Sequence, residues 1–129
     1  MKTLAALLIA GTLSGPPARV YDGDTLTINR QSIRLFGIDA PELKEPYGIP
    51  SRNYLRALTK GTTITCSLTG KTTYRRVVGK CFLPSGLELN RLMVEGGMAL
   101  DCKAYSRGVY RQFEPSWART RLVNKGYCK

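Results

Sequence analysis

Short segments in which apolar and polar residues alternate recur along this chain, and they predict β-strands. The clearest segment covers residues 62–68, where every second residue (Ile64, Cys66 and Leu68) is apolar. Successive side chains of a strand point to opposite faces, so this period of two predicts a strand with one buried face. Similar reasoning predicts four further strands, over residues 18–21, 25–28, 32–38 and 77–83.

Three other segments have the end signals and spacing of helices. Ser51 can cap a helix over residues 51–60, and Pro115 suits the first turn of a helix over residues 115–124. A short apolar segment, residues 87–94, predicts a further helix between them. The side chains of the last helix that are expected to pack on the core are Trp117, Leu122 and Val123.

These elements follow the order βββαββαα. Many short strands, carboxylates at strand ends and few helices favour an α+β fold, a small five-stranded barrel of the oligonucleotide/oligosaccharide-binding (OB) type with about three helices around it. With 129 residues the chain is long enough for one domain with its own core. We therefore predict a single OB-fold domain over residues 15–129.

The first residues, MKTLAALLIAGTLS, contain one lysine followed by apolar and small residues. This composition is typical of a secretory signal peptide, and the apolar run is too short to span a bilayer. Cleavage after Ser14 would give an exported protein, periplasmic or secreted. The alternatives are an uncleaved first strand and a membrane tether.

The cysteines agree with export to an oxidising compartment. They are Cys66, Cys81, Cys102 and Cys128. No two form a CxxC pair, so the sequence supports neither a zinc knuckle nor a thioredoxin-type site. Three disulfide pairings are possible. A hairpin with its tip at residues 73–74 would bring Cys66 opposite Cys81 and favours that disulfide. Cys128, just past the last predicted helix, can then bond Cys102.

The charge of the chain indicates a polyanionic partner. It has 20 Lys and Arg against 9 Asp and Glu, a net charge of +11. Nucleic acid is the most common polyanion, although anionic membranes attract the same charge. The chain has no histidine, which excludes Ser–His and Cys–His nucleophiles, paired-histidine RNases and His-ligated zinc. Metal chemistry would therefore use oxygen ligands, which favour Ca²⁺ or Mg²⁺.

The acidic residues are concentrated in residues 20–42. The acids of this segment are Asp22, Asp24, Asp39 and Glu42. Asp24 lies in a tight turn and Asp39 at the end of a strand, so the two carboxylates can share one divalent cation if those ends are neighbours. Arg34 lies in mid-strand between them, where a guanidinium can neutralise a phosphodiester during hydrolysis. The alternative is an ordinary Asp-rich turn, with Arg34 paired to a structural carboxylate.

Several segments resemble the staphylococcal nuclease (thermonuclease) family. The matching motifs are VYDGDT at 20–25, IRLFGIDAPE at 33–42, YG at 47–48, YRR at 74–76 and LNRLMVEGGMA at 89–99. The resemblance covers most of residues 18–126, and the first two motifs are highly specific. It implies a metal-dependent nuclease that uses Ca²⁺ to hydrolyse DNA, RNA or both and leaves 3′-phosphoryl products.

The resemblance assigns the acidic residues to metal and water. It implies that Asp24, Asp39 and the backbone carbonyl of Ala40 ligate Ca²⁺, and that Asp22 acts through a water molecule. It also implies that Glu42 positions or deprotonates the attacking water.

The resemblance assigns the basic and aromatic residues to the substrate. It implies that Arg34 and Arg76 grip the scissile phosphate and stabilise the transition state. Tyr74 and Tyr105 match tyrosines that line the nucleotide site. A noncatalytic OB-fold module that binds nucleic acid is the alternative, and the presence of all these acids and arginines argues against it. We expect a monomer with no membrane span after processing.

Overall fold

Residues 9–129 of the chain are described from a computed structural model. The strands of this region are β1 (Ala10–Gly15), β2 (Arg19–Asp22), β3 (Thr25–Ile28), β4 (Gln31–Leu35), β5 (Ile38–Asp39), β6 (Ile64–Thr73), β7 (Arg76–Phe82) and β8 (Leu100–Asp101). The helices are α1 (Gly48–Thr59), α2 (Leu89–Glu95), α3 (Lys103–Ser106) and α4 (Ala118–Arg121). β5 and β8 pair with each other, and the other strands form one six-stranded sheet.

The six-stranded sheet curls into a partial barrel. Its order is β1-β6-β7-β4-β3-β2, with β4 and β7 parallel and the other neighbours antiparallel. The edge strand β1 approaches β3, and the Asn29 amide of the β3–β4 turn donates a hydrogen bond of 3.2 Å to the Ser14 carbonyl of β1. This architecture confirms the predicted α+β class and OB-type barrel. The five predicted strands correspond to β2, β3, β4, β6 and β7, and β1 adds a sixth.

Alternating apolar residues fill the barrel, and the first two helices cover it. Ile64, Cys66 and Leu68 of β6 are buried, as the period of two predicts. α1 packs against β2, and α2 packs against β7. The buried Asn90 of α2 accepts a hydrogen bond of 3.1 Å from the Cys81 N–H. Both helices lie where the sequence predicts them, but Ser51 is inside α1 and not at its cap.

The first predicted disulfide is confirmed, although the register of the β6–β7 hairpin differs from the predicted register. Its turn consists of Tyr74 and Arg75, which both have positive φ (46° and 65°), so the tip lies one residue later than predicted. A register shift between Leu68 and Thr72 compensates for the displaced tip. Cys66 therefore still lies opposite Cys81, and the two form a disulfide with a Cα–Cα distance of 4.0 Å.

The predicted strand over residues 32–38 is wrong in its extent. β4 ends at Leu35, and the chain turns at Gly37, which has a φ of 72°. A left-handed backbone of this kind is easily adopted only by glycine. The chain then continues as β5, in which Asp39 pairs with Leu100 of β8.

The predicted helix over residues 115–124 is also wrong in its extent. α4 has only 4 residues, and the chain is extended at Leu122. Leu122 is buried as predicted, whereas Val123 is 85% exposed. Trp117 packs on Gly97 at the surface and is 39% exposed.

The segment after α4, residues 122–129, is hereafter called the tail. Cys128 forms the second predicted disulfide with Cys102, with a Cα–Cα distance of 4.6 Å. The Lys125 N–H donates a hydrogen bond of 2.8 Å to Asp39 Oδ2. These tertiary contacts replace the helical hydrogen bonds that a longer α4 would make.

The predicted signal peptide overlaps the first strand. Residues 1–8 lie outside the described region, and residues 10–14 belong to β1, which pairs with β6 and buries Leu13. Cleavage after Ser14 would remove most of this strand, and the signal peptide remains a prediction. Between residues 9 and 129, no helix has the length and apolar character needed to cross a bilayer.

Candidate active site

Strand register brings Asp24, Arg34 and Arg76 together at one end of the curled sheet. Thr25 of β3 lies opposite Arg34 of β4, which in turn lies beside Val78 of β7. Arg34 Nη2 is 3.3 Å from Asp24 Oδ2. Arg76 Nη1 donates a hydrogen bond of 3.0 Å to Thr25 Oγ1. Pairing of three strands thus joins positions that are far apart in the sequence.

Arg34 is held in a fixed orientation by backbone carbonyls and by Asp24. Its Nη1 donates hydrogen bonds of 2.9 Å to the carbonyls of Leu35 and Ile38. Burial acts to lower the pKa of Arg34, but the Asp24 charge and the neighbouring Tyr127 hydroxyl raise that pKa overall. The guanidinium therefore stays charged although its side chain is only 13% exposed.

The Asp22-Gly23-Asp24 turn is tightly packed. The Asp24 N–H donates a hydrogen bond of 3.1 Å to Asp22 Oδ1. A Cβ on Gly23 would collide with the Ser51 side chain of α1, so only glycine fits there. Burial, together with the charge of Asp24, raises the pKa of Asp22 to about 7. The Asp22 carboxylate thus lies next to the Asp24 backbone N–H, and the two aspartates are close together, as the D-x-D spacing predicts.

Asp39 and Ala40 lie beside the tail, and a lysine ammonium contacts both of them. Lys125 Nζ is 3.4 Å from Asp39 Oδ1, 3.4 Å from the Ala40 carbonyl and 3.1 Å from Glu45 Oε1. Burial acts to lower the pKa of Lys125, but the charges of Asp39 and Glu45 raise it overall. The Ala40 N–H donates a hydrogen bond of 2.8 Å to Asp24 Oδ2. Asp24 thus binds the N–H of Ala40, and Lys125 binds its carbonyl.

Glu42 is separated from these contacts. It is exposed, and in residues 9–129 its carboxylate forms neither a hydrogen bond nor an ion pair with another side chain. Its N–H donates a hydrogen bond of 2.7 Å to Glu45 Oε1. That hydrogen bond, and next the one from Lys125, lowers the pKa of Glu45. Glu45, and not Glu42, therefore faces the ammonium.

The oxygen atoms around Lys125 have the chemistry of a cation site. In the described part of the chain, no three Asp, Glu or Cys side chains are grouped as a preformed metal site would require. Nevertheless, the carboxylates of Asp39 and Glu45 and the Ala40 carbonyl surround one ammonium. Hard oxygen ligands of this kind are those that Ca²⁺ prefers. The donor set therefore fits a hard cation, with Lys125 Nζ as its stand-in.

A cleft of about 780 Å³ adjoins the two arginines. Arg34, Arg76, Tyr74 and Tyr105 all line it. Tyr74 is 90% exposed at the hairpin tip. The Tyr105 ring meets Tyr127 edge-on, with their centroids 6.4 Å apart. The predicted substrate residues thus share one cleft, and Arg34 connects that cleft to the acidic residues.

Sequence reasoning missed Glu45, Lys125 and Tyr127. One signal could have found the last two. The favoured partner of Cys128 is Cys102, which directly follows β8, and β8 pairs with the strand that carries Asp39. The second disulfide therefore draws residues just before Cys128 toward the acidic residues.

Comparison with known proteins agrees with the motifs. The chain matches the family described as staphylococcal nuclease homologue over residues 32–124. An uncharacterized endonuclease of Escherichia coli is 34% identical over 103 residues, which cover 77% of this chain and 67% of the relative. A micrococcal nuclease of Shigella flexneri is 31% identical over 123 residues, or 84% of this chain and 71% of the relative.

A third relative differs in its described role. The succinoglycan biosynthesis protein ExoI of Rhizobium meliloti is 35% identical over 104 residues, covering 72% of this chain and 54% of the relative. This chain thus spans about half the length of that protein. The family match covers well over half of the chain, and the matched residues include Arg34, Asp39 and Arg76. The chain belongs to the family of staphylococcal nuclease homologues.

Proposed function

We propose that the protein is a Ca²⁺-dependent nuclease, a phosphodiesterase that hydrolyses DNA, RNA or both and leaves 3′-phosphoryl products. The observation that carries the proposal is the convergence of two arginines on one acidic turn. Arg34 contacts Asp24 at 3.3 Å, and Arg76 contacts Thr25 at 3.0 Å, beside a cleft of about 780 Å³. Relatives named endonuclease and micrococcal nuclease support the same reaction.

The two guanidinium groups suit the charge that develops at phosphorus. Attack by water on a diester concentrates negative charge on the non-bridging oxygens of a five-coordinate transition state. Arg34 is held by two carbonyls and a carboxylate, and Arg76 Nε donates a hydrogen bond of 3.3 Å to the Thr73 carbonyl. Donors fixed in this way need no reorganisation as the charge develops, and each typically contributes about 10²–10³-fold to turnover.

The cation of the proposal is Ca²⁺, held by Asp24, Asp39 and the Ala40 carbonyl, with Asp22 acting through water. A bound divalent ion supplies charge neutralisation at the phosphate and a more acidic water. Asp39 and the Ala40 carbonyl support this assignment because they already share one positive charge, that of Lys125.

Glu42, Tyr74 and Tyr105 complete the proposed site. Glu42 is exposed in the loop after β5, so its carboxylate can meet a solvent water and position or deprotonate it. Tyr74 and Tyr105 line the cleft, where aromatic rings can stack on bases without selecting a sequence.

The proposal extends to the place where the protein acts. The net charge of +11 favours a polyanionic substrate. Both disulfides are typical of proteins in oxidising compartments. We therefore infer that the protein is exported and acts in the periplasm or outside the cell, and we propose that it does so as a monomer.

A nuclease assay tests the proposal. The purified full chain is incubated with plasmid DNA and with RNA in Ca²⁺, Mg²⁺, Mn²⁺ or EGTA. We expect cleavage in Ca²⁺, none in EGTA, and products that a polymerase extends only after phosphatase treatment. Binding of nucleic acid without cleavage in every ion would replace the nuclease by a noncatalytic binding module.

A further inference from the structure

We propose that Lys125 belongs to the cation site, where its ammonium competes with the divalent ion for Asp39 and the Ala40 carbonyl. Lys125 thereby sets how much of the ion the protein needs. The inference deepens the proposed function and rests on it in one respect, that Asp39 and Ala40 are cation ligands.

The contacts of Lys125 are those of a bound cation. Its Nζ is within 3.4 Å of oxygens from Asp39, Ala40 and Glu45. The side chain of Asp39 is 2% exposed and that of Lys125 is 20% exposed, so water screens this pair less than it screens a surface salt bridge. A carboxylate in such surroundings needs a compensating charge, and Lys125 supplies it.

The tail holds the ammonium in place. The Lys125 N–H and the Asn124 amide donate hydrogen bonds of 2.8 and 3.2 Å to Asp39 Oδ2. Three residues later, Cys128 is bonded to Cys102. The ammonium is therefore tethered beside Asp39, and its effective concentration there is high.

A divalent ion and the ammonium cannot share these oxygens. Asp39 Oδ1 and the Ala40 carbonyl both contact Nζ at 3.4 Å, and two cations that bound both oxygens would lie within a few ångströms of each other. Their repulsion in this partly buried site is stronger than it would be in open solvent. The ion must therefore displace Lys125, and its apparent dissociation constant equals the intrinsic constant divided by the fraction of molecules in which the ammonium has left the site.

Calcium titration of matched variants tests this competition. Calorimetry with Ca²⁺ alone compares the wild-type full chain with Lys125→Met and with Lys129→Met. Both substitutions remove one positive charge from the tail, but Lys129 is exposed at its end. We expect Lys125→Met to bind Ca²⁺ about five- to tenfold more tightly. Lys129→Met should change the affinity by less than about twofold, because an exposed charge is screened. Unchanged or weaker binding by Lys125→Met, or an equal gain in Lys129→Met, would overturn the proposal.

A second measurement uses the unaltered protein. An amine-reactive N-hydroxysuccinimide ester labels lysines according to their accessibility, and mass spectrometry resolves Lys125 from Lys129. Displacement of the ammonium predicts several-fold faster labelling of Lys125 in Ca²⁺ than in EGTA, with the rate at Lys129 unchanged. Equal rates at Lys125 under both conditions would contradict displacement.

Neither readout depends on catalysis, so the two proposals can fail separately. A protein that cleaves no nucleic acid but gains Ca²⁺ affinity with Lys125→Met refutes the nuclease and supports the competition. An active nuclease whose Ca²⁺ affinity is the same with and without Lys125 supports the proposed function and refutes the competition. If neither the wild type nor Lys125→Met binds Ca²⁺, both the proposed competition by Lys125 and the proposed Ca²⁺ dependence of the nuclease are refuted.

Discussion

The curled sheet and the tail supply different sides of the candidate site, and they position their residues by different means. On the sheet, Asp24, Arg34 and Arg76 are joined through the pairing of β3, β4 and β7. In the tail, Lys125 and Tyr127 depend on one disulfide and a few hydrogen bonds to Asp39. A sheet fixes its side chains through many cooperative backbone bonds, whereas one covalent link leaves neighbouring residues freer. The difference suggests that the sheet carries the chemistry and that the tail adjusts it.

The largest expected effect tests whether the chemistry belongs to the sheet. Arg34→Ala and Arg76→Ala should each lower turnover by about 10²–10³-fold, because the proposed function uses each guanidinium as a fixed donor to the phosphate. Tyr127→Phe, in the tail, should lower turnover less than about tenfold, because it removes only one hydroxyl beside Arg34. Turnover is measured on plasmid DNA at saturating Ca²⁺.

Arg56→Ala serves as the control for these variants, because Arg56 is an exposed arginine of α1 and its loss changes the net charge equally. A loss of activity in Tyr127→Phe as large as in the arginine variants would show that the two regions do not divide the work in this way.

The second prediction compares the two disulfides. Cys66→Ser/Cys81→Ser and Cys102→Ser/Cys128→Ser open loops with sequence separations of 15 and 26. Loop entropy predicts a loss of about 3 kcal/mol in the free energy of unfolding for each, slightly more for the longer loop. Urea unfolding measures both losses.

The two disulfide variants should also differ in the labelling of Lys125. Only the variant that frees Cys128 should label Lys125 faster than the wild type in EGTA. Equal labelling in the two variants would mean that the disulfide does not hold the tail.

The smallest expected effect concerns Tyr110, which is buried in the core and packs beside Gly37. Burial, together with the neighbouring Glu88 carboxylate that accepts a hydrogen bond from the hydroxyl, raises the pKa of Tyr110 above its ordinary value near 10. The unfolded chain therefore loses this proton at lower pH than the folded chain. The contribution of Tyr110 to stability is complete below about pH 10 and declines as the pH rises further.

Tyr110→Phe removes this hydrogen bond and should lower the free energy of unfolding by about 1–2 kcal/mol at neutral pH. Above about pH 10, the free energy of unfolding of this variant should fall less steeply than that of the wild type. Chemical denaturation across this range measures the slope. Tyr21→Phe, at an exposed tyrosine, should keep the wild-type slope. A Tyr110→Phe slope equal to that of the wild type would exclude Tyr110 as its source.

The fold was largely predictable where local pattern and tertiary structure agree. Period-two alternation in residues 62–68 gave β6 its inward and outward faces, because burial on one face is what a half-exposed strand requires. The pattern failed at Gly37, since a glycine within an apolar run does not show whether its φ is positive. It failed again after α4, where helix propensity in residues 115–124 gave way to a disulfide and to hydrogen bonds with Asp39.

The candidate site likewise contains residues that the sequence predicted and residues that it did not. Asp24, Arg34 and Arg76 were predicted because they lie in motifs that resemble those of the staphylococcal nuclease family, and these motifs lie on regular strands and turns. Lys125 was not predicted, since a lysine in a basic chain is ordinarily a solvated surface charge. Its position depends on where the backbone goes after the last helix, which no local pattern specifies.

The tip of the β6–β7 hairpin has a consequence for engineering this protein. Two successive residues with positive φ favour Asn-Gly, and the β3–β4 turn, with φ values of 49° and 66°, begins with Asn29. The other tip has Tyr74, a bulky residue for which this backbone costs roughly 1 kcal/mol, and a side chain that is 90% exposed gains little burial to offset it. Replacing Tyr74 and Arg75 by Asn-Gly would stabilise the hairpin and remove an aromatic ring from the cleft. Because the proposed function has Tyr74 stack on bases, selection for thermostability and selection for substrate affinity would act in opposite directions at this residue.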